Sequence, residues 1–152
     1  MEKINVYTVK MVKEKEVPYD IASKSITSPK TAARLVNLIF DLENEPIENF
    51  GIFCLNRKNK IIGAHLLHKG STISAIVSTK TIFQHALLNN ATAIICFHNH
   101  PSGNPEPSDE DICFTKMLYE ASEVMDIELL DHIIIGHDEK FASLKDLGYI
   151  KR

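Results

Sequence analysis

A single α/β domain, in which helices pack on a mixed β-sheet, is the fold class that the sequence predicts. The length of 152 residues suits one compact domain with its own core. Hydrophobic residues make up 44% of the chain and charged residues 24%, which is typical of globular proteins. Segments with strand patterns alternate with segments with helical patterns, and this alternation favours a sheet covered by helices.

The N-terminal part of the sequence predicts one strand, one loop and one helix. Val, Ile, Tyr and Thr are frequent in residues 4–12, and the lysines around this segment are typical of an edge strand. We expect a loop over residues 13–27. Ser28 and Pro29 then predict a helix, with serine as its cap and proline at its first position. Residues 43–46 are expected to end that helix.

The rest of the sequence predicts a hairpin, two more helices and further strands. Residues 91–97 are continuously apolar, which predicts a strand buried on both faces. Residues 98–107 contain three prolines and a glycine, so we expect an irregular loop. The other expected elements are strands at 48–56 and 61–68 joined by a polar turn, a strand at 72–78, a helix at 80–90 capped by Thr79, a helix from Ser108 to about Met125, and strands at 127–136 and 140–143.

Composition and charge argue against several classes of protein. The formal net charge is −3, so the sequence lacks the basic character expected for non-specific DNA binding. No apolar stretch approaches the roughly 20 residues that a membrane span needs, and the charged N-terminus is unlike a secretory signal. Cys54, Cys96 and Cys113 have no CxxC spacing, and we expect three reduced thiols in the core. A cytoplasmic protein without a membrane partner is therefore expected, and the oligomeric state stays open.

His98, His100 and Asp111 form a candidate metal site. The two histidines are two residues apart at the end of the predicted buried strand, so their side chains point to one side and Asn99 points to the other. Asp111 follows in the first turn of the next predicted helix. Two imidazoles and one carboxylate leave a fourth tetrahedral position for a water, as in catalytic zinc sites. We therefore expect one Zn²⁺ per chain.

Each of these residues also has a simpler interpretation on its own. Ser108 and Asp111 have the Ser-x-x-Asp spacing of a capping box, and an acid in the first turn suits the helix dipole. The histidines alone are compatible with ordinary loop or core roles. The combination of two histidines at strand spacing, a turn rich in proline and glycine and a carboxylate at the next helix start favours the metal site. Capping and metal binding can also coexist.

At these residues the sequence resembles the JAMM (MPN+, JAB) metalloprotease family. The family motif is His-x-His, seven residues, Ser, two residues and Asp, and it matches His98, His100, Ser108 and Asp111 without a change in spacing. The wider pattern HNHPSG…PS..D and the later segment at residues 130–136 resemble the RadC branch in particular. The resemblance implies a zinc-dependent hydrolase with a JAMM/cytidine-deaminase-like architecture.

The resemblance runs from about residue 27 to residue 148. The residue pattern predicts an N-terminal strand and loop at residues 1–27, and the resemblance implies a RadC-like JAB/JAMM domain at residues 28–152. Longer RadC-like proteins carry an N-terminal helix-hairpin-helix region. We expect a stand-alone domain here, because only about 27 residues precede the first predicted helix.

The resemblance also implies a general base and a donor to the oxyanion. RadC-like chains carry a glutamate in a Glu-x-Phe segment before an apolar strand, which matches Glu48. From the residues alone, Glu48 is a solvated residue at a strand end, and Glu43, Glu45 and Glu106 compete for the role of base. By the same resemblance, Ser108 donates a hydrogen bond to the oxyanion. The implied reaction is hydrolysis of a peptide or isopeptide-linked protein substrate by a water that Zn²⁺ holds and Glu48 activates.

Other functions fit the sequence less well than zinc-dependent hydrolysis. The main alternative is a DNA-repair-associated RadC-type module that binds DNA or a partner protein without proteolysis, although the net charge does not support DNA binding. The tripeptide His98-Asn99-His100 spells HNH, but HNH nucleases spread these residues over a ββα unit. A zinc deaminase needs His-x-Glu followed by Pro-Cys-x-x-Cys, and the sequence has no Pro-Cys-x-x-Cys. His132, beside Asp131, is interpreted as a hydrogen-bonded core histidine, with support of the metal site as the alternative.

Overall fold

The computed structural model describes residues 1–20, 25–70 and 77–151. In this part of the chain, three α-helices flank a five-stranded sheet, which confirms the predicted α/β fold. The elements in chain order are α1 (Pro29–Phe40), one 3₁₀ turn (Leu42–Asn44), β1 (Asn49–Leu55), β2 (Ile61–Lys69), α2 (Thr79–Leu88), β3 (Ala93–Asn99), α3 (Asp109–Met125), β4 (Glu128–Ile135) and β5 (Phe141–Ser143).

The sheet is mixed, as predicted, and its strand order is β2-β1-β3-β4-β5. β1 pairs antiparallel with both β2 and β3, β3 pairs parallel with β4, and β4 pairs antiparallel with β5. Every residue of β3 is buried, because this central strand is covered by helices on both faces. The β1–β3 register places Phe50 beside His98, and this pairing brings the start of β1 to the end of β3.

The two faces of the sheet build two hydrophobic clusters. One cluster packs the sheet against α1, and the other packs it against α2 and α3. The α1-side cluster includes Ala32, Leu35, Val36, Phe53, Ile95, Phe97, Ile133 and Ile135. The opposite cluster includes Phe50, Ile52, Ile82, Phe83, Ile94, Cys96, Phe114, Leu118 and Ile134. Alternate residues of each strand therefore serve opposite clusters, and His98 follows Cys96 by two residues on the α3 side.

Serine side chains cap all three of these helices. Ser28 accepts a hydrogen bond from the backbone of Thr31, as the Ser-Pro start of α1 predicts. Ser108 caps α3 as expected, whereas α2 is capped by Ser78 and not by Thr79. The error of one residue arises because Ser and Thr are both good caps and stand next to each other. Within the described ranges, no helix is both long and apolar enough to cross a membrane.

The predicted strand at residues 4–12 is wrong. Residues 1–20 contain neither helix nor strand, and the side chains of Ile4 and Val6 are 93% and 92% exposed. The preference of Val, Ile and Tyr for strands reflects packing on a neighbouring strand, and this segment has no place in the strand order. Most of the predicted strand at 72–78 lies outside the described residues, and the two positions that are described, 77 and 78, are not in a strand.

The cysteines are free thiols, and two of the three lie in the core. Burial raises the pKa of Cys54 to about 12 and that of Cys96 well above its usual value. Cys113 is exposed on α3, so the expectation that all three thiols are buried is wrong for this residue. Its exposure follows from its place on the solvent side of the helix, one residue before the buried Phe114.

Candidate metal centre

The cluster of His98, His100 and Asp111 forms where β3 ends and α3 begins. His98 is the second-last residue of β3, His100 follows β3 directly, and Asp111 is in the first turn of α3. One ligand atom from each residue can be chosen so that all three lie within 4.8 Å of one another. The loop therefore folds back as the sequence predicts, and it brings the three predicted ligands together.

The distances within the cluster fit a tetrahedral metal ion. Nε2 of His98 lies 3.2 Å from Nε2 of His100 and 3.3 Å from Oδ1 of Asp111. Oδ2 of Asp111 lies 3.0 Å from Nε2 of His100. Ligands about 2.0–2.1 Å from a tetrahedral zinc ion are separated from one another by roughly 3.3–3.4 Å. The two imidazole nitrogens therefore have nearly the separation of ligands on one zinc ion, and Asp111 faces each of them with a different carboxylate oxygen.

A backbone hydrogen bond orients the ring of His100. The carbonyl of Asn104 lies 2.9 Å from Nδ1 of His100, and a carbonyl can only accept, so Nδ1 carries the proton. In the neutral ring, Nε2 is then the atom with a free lone pair. The turn that places Asn104 is closed by a second bond, in which the backbone N–H of Gly103 donates to the carbonyl of His100.

At the start of α3, Asp111 takes part in helix capping and also belongs to the cluster with His98 and His100. The hydroxyl of Ser108 accepts from the backbone N–H of Asp111, and Oδ2 of Asp111 accepts from the backbone N–H of Ser108. This is a complete capping box. Oδ1 of Asp111 is left to face His98, and the hydroxyl proton of Ser108 is not used in the bond from Asp111.

Glu48 directly precedes β1, on the same face as the histidines. Phe50 pairs with His98, and Glu48 precedes Phe50 by two residues, so strand alternation places Glu48 on that face. Its side chain is half-buried. After the larger effects of burial and Asp111, the negative charge of Glu48 raises the pKa of both His98 and His100. The glutamate is therefore close enough to act on the cluster electrostatically.

The other glutamates considered for the role of base are placed differently. Glu43 accepts a hydrogen bond from the backbone N–H of Glu139. Glu45 lies 3.9 Å from the ammonium of Lys69, and Glu106 is exposed on the loop before α3. Of these acids, Glu48 is the one that continues the register in which Phe50 pairs with His98, and this register leads it toward His100.

Burial and hydrogen bonding set the charge of the cluster. Burial lowers the pKa of His98 below its usual value, even though Asp111 opposes this. Burial also lowers the pKa of His100, but hydrogen bonds to Asp111 and Asn104 outweigh it, and the net direction is upward. Burial raises the pKa of Asp111, but its side-chain contacts with the rings of His100 and His98 hold that pKa far below its usual range. Asp111 is therefore ionised, as a metal ligand must be.

Asn99 fastens the start of β1 to the end of β3. Its side chain points away from the histidines, as predicted, and is almost completely buried. Its amide group donates to the carbonyl of Ile47 at 2.9 Å and accepts from the backbone N–H of Asn49 at 2.7 Å. These two bonds flank Glu48 on either side, so one side chain between the two histidines holds the glutamate in place.

Two further residues extend the cluster into the core, and sequence reasoning missed one of them. Nδ1 of His98 lies 2.8 Å from Nε2 of His132, and Nδ1 of His132 lies 2.7 Å from the hydroxyl of Thr115. His132 is fully buried, so it is a hydrogen-bonded core histidine that also contacts the cluster. Sequence reasoning missed Thr115. The one signal for it is its position four residues after Asp111, which places both residues on the same face of the helix.

Comparisons with known proteins match the region that carries this cluster. Residues 26–149 match the family described as RadC-like JAB domain. A UPF0758 protein of Geobacillus sp. (strain WCH70) is 45% identical over 125 residues, which are 82% of this chain and 54% of the relative. UPF0758 protein YsxA of Bacillus subtilis (strain 168) is 44% identical over 125 residues, which are 82% of this chain and 53% of the relative.

The chain spans about half the length of the curated relatives that it matches. The family match nevertheless covers most of this chain, including β3 and α3, which carry the cluster, and β1, which pairs with β3. The names of the relatives state no activity. The chain belongs to the family of RadC-like JAB domains, and it carries a His-His-Asp group positioned for a metal ion.

Proposed function

We propose that this protein is a zinc-dependent hydrolase that cleaves peptide or isopeptide bonds. The observation that carries the proposal is the group of His98, His100 and Asp111, in which the two Nε2 atoms lie 3.2 Å apart and each lies within 3.3 Å of a carboxylate oxygen of Asp111. Three protein ligands are typical of catalytic zinc sites, because the fourth position is left for water or substrate. A Zn²⁺ ion held there supplies Lewis-acid chemistry, which polarises a carbonyl and acidifies a water molecule.

Glu48 is the proposed general base. Its carboxylate takes a proton from the attacking water and returns that proton to the leaving amine. A carboxylate suits this role because strand alternation places it on the same face as the ligand side chains, while part of its surface remains accessible to water. Asn99 supports the role, because its two hydrogen bonds fix the backbone on both sides of Glu48.

Ser108 is the proposed donor to the oxyanion. Its hydroxyl oxygen accepts from the backbone N–H of Asp111, which fixes where the oxygen lies. The hydroxyl proton is directed elsewhere and is available to the tetrahedral oxyanion of an attacked amide. The N-terminus of α3, at the same place, favours negative charge through its unpaired N–H groups.

A cleavage assay with matched variants tests the proposal. The zinc-loaded chain is incubated with a panel of peptides, lysine isopeptide conjugates, and single- and double-stranded DNA. We expect cleavage of a peptide or isopeptide bond that a chelator abolishes and zinc restores. Glu48→Gln should lower the rate by about 10²–10⁴-fold with an unchanged zinc content. Glu106→Gln, which alters an exposed acid on the neighbouring loop, should cleave at the rate of the unaltered chain.

Two results would contradict the proposal. One is chelator-sensitive cleavage of DNA with no cleavage of any peptide or isopeptide, which would favour the DNA-processing alternative. The other is full peptide cleavage by Glu48→Gln, because hydrolysis at this site would then need no base at residue 48.

A further inference from the structure

We infer that Thr115 and His132 are positioning residues that hold His98 in the tautomer that binds a metal through Nε2. The inference rests on the proposed function, since it concerns the same metal. Three buried hydrogen bonds carry it, and they run from Thr115 to the carbonyl of Asp111 at 2.7 Å, from Thr115 to His132 at 2.7 Å, and from His132 to His98 at 2.8 Å.

The direction of each bond follows from the chemistry of the partners. The carbonyl of Asp111 can only accept, so the hydroxyl proton of Thr115 is used in that bond. The hydroxyl oxygen must then accept from Nδ1–H of His132. His132 is 0% exposed, and in the neutral ring with its proton on Nδ1 the lone pair is on Nε2. Nδ1–H of His98 donates to that lone pair.

The consequence for His98 is a free lone pair on Nε2, the atom that faces His100 and Asp111. The opposite direction of the chain would place a proton on Nε2, and a protonated ring nitrogen cannot bind a metal. The donated hydrogen bond also makes the imidazole a stronger ligand, as carboxylate or carbonyl partners do in other metal sites. Here the partner is a neutral histidine, and Thr115 determines which of its nitrogens is the acceptor.

The chain of bonds also closes on itself through the ligands. It begins at the backbone carbonyl of Asp111 and passes through Thr115 and His132 to His98, whose Nε2 lies 3.3 Å from the carboxylate of Asp111. Helix α3, strand β4 and strand β3 are therefore linked in one ring of contacts. A change at Thr115 acts on the metal only through this ring, because Thr115 itself is not a ligand.

Zinc affinity of Thr115 variants tests the inference. Thr115→Val keeps the shape of the side chain but removes the hydroxyl, whereas Thr115→Ser keeps the hydroxyl. Ser122→Ala is the matched control, because it removes a buried hydroxyl of the same helix that donates to the carbonyl of Tyr119, away from the cluster. Affinity is measured in the full chain by competition with a chromogenic chelator, and Co²⁺ replaces zinc for a visible spectrum of the ligand geometry.

We expect Thr115→Val to bind zinc about 10- to 100-fold more weakly and to alter the Co²⁺ spectrum. Thr115→Ser and Ser122→Ala should match the unaltered chain in both measurements. The inference is overturned if folded Thr115→Val binds zinc as tightly as the unaltered chain. If the unaltered chain binds no zinc, the proposed function and the inference both fail. If the unaltered chain binds zinc and Thr115→Val binds it equally tightly, only the inference fails.

A second measurement needs no variant. Nitrogen-15 NMR of the zinc-loaded chain reports which ring nitrogen of His132 carries the proton. We expect the proton on Nδ1, the atom that faces Thr115. A proton on Nε2 would overturn the inference, because His132 could not then accept from His98.

Discussion

Asp111 uses its two carboxylate oxygens for different purposes. Oδ2 accepts from the backbone of Ser108 and lies 3.0 Å from His100, while Oδ1 faces His98. The Ser-x-x-Asp pattern predicts a capping box, and the family motif predicts a ligand at the same residue. A carboxylate has about four lone-pair positions, so it satisfies both demands. Capping at this residue is thus no argument against metal binding.

Asp131 is a buried acid whose charge opposes folding. Burial raises its pKa, although hydrogen bonds from Ser143, Lys145 and His132 oppose that effect. Because the pKa is higher in the folded chain than in the unfolded chain, the folded chain binds the proton more readily. The contribution of Asp131 to stability is therefore fully present below the unfolded pKa of about 4, and it is lost as the pH rises through the folded pKa.

Asp131→Asn cannot ionise, so we expect it to gain stability relative to the unaltered chain as the pH rises above about 4. Chemical denaturation of the metal-free chain across the acidic and neutral range measures this difference in the free energy of unfolding. Asp126→Asn, which changes an exposed carboxylate at the end of α3, is the control for loss of a charge as such. A difference that shrinks with rising pH would show that burial does not disfavour the charged form of Asp131.

At the scale of elements, local signals explain which predictions were confirmed. Helices α1 and α3 begin where Ser-Pro and Ser-x-x-Asp predict, since a cap is a contact between residues close in sequence. The hairpin of β1 and β2 was predicted from two strand-like segments joined by a polar turn, and the antiparallel pairing confirms it. The segment at residues 4–12 failed because a strand depends on a partner, and no signal within nine residues can supply one.

The loop between β3 and α3 depends on a glycine with a left-handed backbone. Gly103 has φ +90°, and a Cβ there would lie 2.5 Å from Nδ1 and 2.8 Å from Cγ of His137. Its N–H also donates to the carbonyl of His100, and the next residue, Asn104, orients the His100 ring. The backbone conformation and the close contact both exclude a side chain at this position.

Gly103→Ala should therefore destabilise the fold and weaken zinc binding. Gly148→Ala is the matched control, because Gly148 also has φ +90° but a Cβ there would meet nothing within 4 Å. We expect Gly148→Ala to cost roughly 1–2 kcal/mol of unfolding free energy from the backbone alone, with zinc affinity unchanged. Gly103→Ala should cost more, because His137 must also move. Equal losses in the two variants, with equal zinc affinity, would mean that the loop does not position His100.

At the scale of the whole molecule, sequence separation decides how much of the site could be predicted. His98, His100, Ser108 and Asp111 lie within one stretch of fourteen residues, so spacing alone groups them. Glu48 is far from them in sequence, and only the antiparallel pairing of β1 with β3 brings it near. Its assignment therefore needed the family resemblance.

The contacts behind the ligands could not be predicted in the same way. Thr115 and His132 meet because α3 packs on β4, and no pattern in either segment specifies that contact. The two bonds of Asn99 that flank Glu48 likewise depend on the register between two strands. The sequence predicts the candidate ligands, whereas the groups that orient these ligands are identified only from the three-dimensional packing.

The proposed function depends on the binding of one zinc ion per chain by His98, His100 and Asp111. The most direct test is the zinc content of the purified full chain, compared with His100→Ala and Glu48→Gln, each checked for folding by circular dichroism. We expect one zinc per chain in the unaltered protein and in Glu48→Gln, and loss of most zinc in His100→Ala. A full equivalent of zinc in folded His100→Ala, or none in the unaltered chain after exposure to zinc, would contradict the proposed function.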